Sequence, residues 1–193
     1  MHTFSIRRRA AIAIGMAGLL AGTLAGSAFA DDTVTQTVTA GGGLSASVAN
    51  LNFPSVAYQN AAHDVSGTMT VTADDSRGSS AGWSVTIQAS AFVYTGAAAG
   101  TNIPAANFAL TSAEQPTAVA GQPVSLVAST GPQIPIEGIV WGSLAAPLKT
   151  IRATAAYGNG TYTQDLGVTL TIPAQSKVGT YTGTLTTTIS ATP

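Results

Sequence analysis

The chain has 193 residues, with seven Lys and Arg against eight Asp and Glu, and it contains no cysteine. A net charge of −1 with 8% charged residues offers no basic surface for a phosphate backbone, so nucleic acid is a poor partner. Without thiols there is no cysteine nucleophile, no zinc–thiolate site and no disulfide framework.

Residues 1–30 carry Arg7-Arg8-Arg9, an apolar stretch from Ala10 to Leu24, and Ala28-Phe29-Ala30. A basic start, an apolar middle and an A-x-A end predict a secretory signal peptide cut before Asp31. Glycines interrupt the apolar stretch, and it falls short of the roughly 20 apolar residues of a membrane span. No serine or threonine directly precedes the arginines, which favours the general secretory route over the twin-arginine one. Cleavage leaves one domain's length, residues 31–193, with Arg77, Lys149, Arg152 and Lys177 as its only basic residues against eight acidic ones.

The mature part is rich in Thr, Val, Ala, Ser and Gly, a strand composition. Period-two alternation runs through it. Val34 and Val38 bracket "TVTQTVT", and Leu44, Ala46 and Val48 alternate in "LSASVAN". Met69, Val71 and Ala73 follow in "GTMTVTAD", then Trp83, Val85, Ile87 and Ala89 in "WSVTIQA". Near the end Leu166, Val168, Leu170 and Ile172 share one parity, as do Tyr181, Gly183, Leu185, Thr187 and Ile189. Turn-forming stretches separate the runs: 40–43, 74–78, 95–100, 158–160 and 173–179. The prediction is an all-β fold, an antiparallel β-sandwich or barrel-like domain. From about 96 to 148 six prolines argue against continuous central strands, so this stretch reads as an excursion between two β halves. It can hold a short helical turn after Pro104.

Little here is built for catalysis. His63 is the one histidine of the mature part, beside Asp64 in a polar stretch that reads as a solvated loop. Asp74-Asp75 could pair as acid and base or bind calcium, but "ADDSRGSS" lacks the spaced oxygen ligands of a calcium loop. A turn suits it better: Asp75 accepts backbone N–H bonds, Arg77 helps organise the link, and Gly78 supplies a positive φ. Glu114 and Glu137 could meet only through folding. The expectation is a non-enzymatic protein with no cofactor and no metal.

The segments "DSRGSSAGWSVTI" and "YTGTLTTTISATP" resemble the WxL domain of Gram-positive surface proteins, marked by a W-x-L motif and a distal Y-x-x-x-L-T-W-x-L-x-x-x-P motif. Trp83, Ser84 and Val85 stand at the first motif, with Val85 in place of leucine. In the second, Tyr181, Leu185, Thr186 and Pro193 match, Thr187 stands where tryptophan belongs, and Ile189 replaces leucine. The resemblance implies a secreted, cell-wall-associated protein with peptidoglycan as ligand. Its motif residues are then candidates for wall contact, unless they mark the fold. The parity of Trp83 with Val85 and Ile87 favours core, and Thr187 would leave room for another side chain, Trp141 being the candidate. The chain shows no sorting motif and no hydrophobic C-terminal anchor, so non-covalent attachment is expected. A fibre or surface-layer subunit joined by strand exchange is the alternative.

Overall fold

A computed structural model describes residues 36–124, 130–135 and 141–193. The segment 1–30, Val34 and Glu137 lie outside the described residues. The chain divides after Thr37, and the unit that follows is Val38–Pro193.

Nearly all of its regular secondary structure is strand, in antiparallel pairings, so the all-β expectation is met. In chain order the strands are β1 (Leu44–Val48), β2 (His63–Asp75), β3 (Trp83–Ala89), β4 (Val93–Thr95), β5 (Phe108–Ala113) and β6 (Thr117–Gly121). There follow β7 (Gly142–Ser143), β8 (Leu148–Ala153), β9 (Gly160–Ile172), β10 (Thr180–Thr182) and β11 (Leu185–Ser190). The larger sheet runs β1-β2-β9-β5-β7, with β6 also paired to β9; the smaller sheets are β11-β3-β8 and β10-β4.

The two 13-residue strands β2 and β9 pair along their whole length, from His63 opposite Ile172 to Asp75 opposite Gly160. Their alternation sorts the residues. Val65, Met69, Val71 and Ala73 face inward beside Tyr162, Leu166, Val168 and Leu170. The opposite face is a ladder of hydroxyls and carboxylates: the Thr70, Thr161 and Thr171 hydroxyls donate to Asp165, Asp74 and Asp64, each at 2.6 Å. Trp83, Val85 and Ile87 of β3, with Ile151 and Ala153 of β8, close the same core from the smaller sheet. Leu144 ties the sheets together at one corner. Its N–H donates to the Phe108 carbonyl and its own carbonyl accepts from Ala89 N–H, each at 2.8 Å.

Three local expectations change. Residues 36–43 form no strand, and Val38 is 89% exposed; alternation without a partner strand does not make a sheet. The proline-rich stretch carries strands of the main sheet, since β5 sits between β9 and β7. Pro104 and Pro116 only bracket it, so no ladder N–H is lost, and a register shift between Leu110 and Ser112 absorbs the misfit. Pro104 does precede a short 3-10 turn, Ala105–Asn107. His63 and Asp64 begin β2 instead of forming a loop.

Candidate functional site

The two motif segments assemble side by side. β3 is the middle strand of its sheet, with β11 on one edge, and the register sets Val85 opposite Ile189, Ile87 opposite Thr187 and Ala89 opposite Leu185. Ser84 Oγ donates to the Thr192 carbonyl at 2.8 Å, fastening the first motif to the end of the second.

Trp83 is fully buried and presents no face to a ligand. Its Nε1–H donates to the Gly158 carbonyl at 2.9 Å, and its ring lies 6.0 Å from that of Tyr162. A buried indole needs such a partner for its one donor. The glycine is required by the tryptophan: Gly158 has φ +86°, and a Cβ there would stand 2.6 Å from Trp83 Nε1. The Tyr162 hydroxyl lies 2.9 Å from the Gln122 carbonyl and 3.1 Å from that of Asn159.

Beside this cluster the Asp75 carboxylate is enclosed in the turn after β2. Arg77 grips it with Nε at 2.8 Å and Nη2 at 2.9 Å, adds its backbone N–H at 3.1 Å, and reaches the Gly82 carbonyl at 3.0 Å. Gly78 takes φ +68°. The side-chain bonds from Arg77 hold the Asp75 carboxyl below its ordinary value, against the opposing effect of burial. Burial, and then the Asp75 charge, push the Tyr162 hydroxyl up. Asp74 points to the other face and binds Thr161 and Ser76 instead. Neighbours in a strand face opposite ways, so the two aspartates do not form an acid–base pair.

The second motif divides. Tyr181 belongs to β10 and faces Tyr94 of β4, ring centroids 5.2 Å apart, while Leu185, Thr186, Thr187 and Ile189 belong to β11. Leu185, Thr187 and Ile189 are half-buried and Thr186 is exposed, as is Pro193. Thr187 lines a cleft of about 600 Å³ with Ala46, Val48, Phe92, Phe108 and Leu185. Trp141 does not fill this space; it is 51% exposed.

The family model for the WxL domain, surface cell wall-binding, matches residues 30–193. The chain belongs to the WxL family. No curated protein and no solved structure matches it. In this WxL domain Trp83, Ser84 and Val85 of β3 lie beside the half-buried Leu185, Thr187 and Ile189 of β11, while Tyr181 stands apart in β10.

Sequence reasoning missed a second cleft, of about 540 Å³, at the far end of β2. It lies between the extended segment Leu51–Gln59 and the segment Ser176–Gly183. His63 sits in it, with both ring nitrogens buried and without a partner among the described residues. The signal was a histidine in alternation with Val65.

Proposed function

We propose that the protein is exported, loses residues 1–30, and stays on the cell surface as a non-enzymatic module that binds peptidoglycan through the domain of residues 31–193. The observation that carries this reading is the cell wall-binding family match over 30–193. The burial of Trp83 supports a structural role for that ring, with binding by surfaces away from it. Three of the carboxylates are engaged within the fold: Asp75 by Arg77, Asp74 by Thr161, Asp64 by Thr171.

The test is co-sedimentation of the protein with purified peptidoglycan, washed at rising salt. Retention through high salt supports binding by hydrogen bonds and apolar contact; release at modest salt, or a protein that stays in the supernatant, sinks it. N-terminal sequencing of exported material should start at Asp31.

A second reading, a fibre subunit assembled by strand exchange, is supported by the position of β11. This terminal strand is an edge strand, paired only with β3 among the described residues. Sedimentation velocity separates the two: a monomer across concentration supports the wall module, and concentration-dependent polymers support the fibre.

A further inference from the structure

The cleft at the His63 end combines four features that a merely imperfect junction would not gather. Its floor is apolar, formed by Val65, Leu170, Ile172, Phe92 and Ile103. Its rim carries Val56, Tyr58 and Val178, three of the large apolar side chains that the domain leaves exposed. Around this floor the lining is as polar as it is apolar, with Asn52, Gln59, Ser176 and Lys177 among its residues, and clefts of this size that join the two kinds of surface can take small ligands.

The third feature is a strand edge. Four consecutive residues, Thr180, Tyr181, Thr182 and Gly183, line the cleft. A strand shows a neighbouring space only every second residue with its face, but every residue with its edge. β10 pairs with β4 and with no other strand among the described residues, so this edge has backbone donors and acceptors to offer an extended chain.

The fourth is charge. The domain is acidic, yet among the described residues no Asp or Glu lines the cleft. Its charged lining residue is Lys177, while the half-buried His63 ring forms part of the wall with both nitrogens enclosed. The Lys177 ammonium favours a negative end on the ligand.

Resting on the wall-binding reading above, we infer that this cleft takes a short extended peptide ending in a free carboxylate, the chemistry of an uncrosslinked wall stem peptide. The peptide backbone pairs with the edge of β10, small side chains enter the apolar floor, and the carboxylate meets Lys177. Apolar contacts supply area and the carboxylate fixes direction.

The experiment is an NMR titration of the isotope-labelled protein with N,N′-diacetyl-Lys-D-Ala-D-Ala, with the same tripeptide amidated at its C-terminus, and with N-acetylmuramic acid. The acid tripeptide should move the Thr180–Gly183 amide and His63 ring signals, and the amide should bind about 10-fold more weakly, the worth of one charge-assisted contact. Lys177→Met should weaken the acid by a similar factor and leave the amide unchanged. Equal binding of acid and amide overturns the proposal, as do shifts confined to another surface. Equal shifts from muramic acid alone would overturn it in favour of a sugar site. Co-sedimentation with peptidoglycan stripped of stem peptides by an amidase separates the two readings. Undiminished retention on the stripped glycan overturns the cleft and keeps wall binding. Loss of pelleting on both intact and stripped material overturns wall binding itself. Pelleting with the intact polymer alone supports both.

Discussion

The two ends of strand β2 are built on opposite principles. Its 13 residues span about 40 Å. At the Asp75 end the polar groups at the centre of the cluster are paired: the carboxylate with Arg77, the Trp83 indole with Gly158, the Tyr162 hydroxyl with neighbouring carbonyls. At the His63 end both nitrogens of a half-buried imidazole have no partner among the described residues, beside a cleft and a strand edge that no other described strand pairs with. Asn159 Oδ1 and Gln164 Oε1 near the Asp75 end are also enclosed without a partner among the described residues, so what sets the His63 end apart is its cleft and free strand edge. The tryptophan that marks the family lies at the closed end, so the marker and the binding surface need not coincide.

The largest expected effect tests the closed end. Trp83→Ala removes the ring at the centre of the core and should cost about 3–5 kcal/mol in denaturant unfolding, a large part of a typical domain's stability. Wall binding should then fall only with the folded fraction. A variant that unfolds like the parent but no longer pellets with peptidoglycan would reverse the roles of the two ends.

Gly158→Ala should follow, at about 2–3 kcal/mol. It places a side chain at φ +86° and drives a Cβ to within 2.6 Å of Trp83 Nε1. A loss under about 0.5 kcal/mol, measured the same way, would mean that the indole has room and the seam is looser than its geometry implies.

Asp75→Asn comes third, at about 2 kcal/mol near neutral pH, because it removes the carboxylate charge from a two-pronged grip whose arginine is partly solvated. The pH dependence has a definite sign. The Asp75 carboxyl is held below its ordinary value of 3.8 in the folded protein, so its stabilisation is present above that value. It is lost as pH falls through the lower folded value. Tyr162 acts on the other limb: raised above its ordinary 10.0, it makes stability decline as pH rises from about 10 through the folded value. The acid limb should flatten in Asp75→Asn, and an unchanged acid midpoint would detach the turn from the fold's stability.

The closed end was largely legible in the sequence because its logic is local. Alternation placed Trp83, Val85 and Ile87 on one face, and "DDSRG" carried the turn with its acceptor, its arginine and its glycine. The open end was not, because its residues meet only through long-range pairing. Period two gave Tyr181 and Leu185–Ile189 a single face, but parity does not say which strand each half pairs with. The chain leaves β10 at Gly183, where a Cβ would press on the Phe92 ring at 3.1 Å, and crosses from β4 to β3. His63 read as solvated because its neighbours Gln59, Asn60 and Asp64 are polar, while its strand partner Ile172 lies over a hundred residues away. Phe108–Ala113 was hidden by prolines that border the strand without interrupting it.

The smallest expected effect lies between the two ends, at Thr187, which the motif resemblance sets against a tryptophan. Thr187 sits on the half-buried face of β11, opposite Ile87, and lines the cleft of about 600 Å³ between β1 and β11. A tryptophan there would enter open space edged by Ala46, Val48 and Phe92 instead of displacing packed atoms. Overpacking is costly only where the site is already full. Thr187→Trp should therefore change stability by less than about 1 kcal/mol, with added apolar burial offsetting lost rotamer freedom. The new indole should show a blue-shifted emission against that of exposed Trp141. A loss above about 2 kcal/mol would show that β1 and β11 are already closed on each other, and that Thr187 is a packed replacement for the family tryptophan instead of the floor of a space it left.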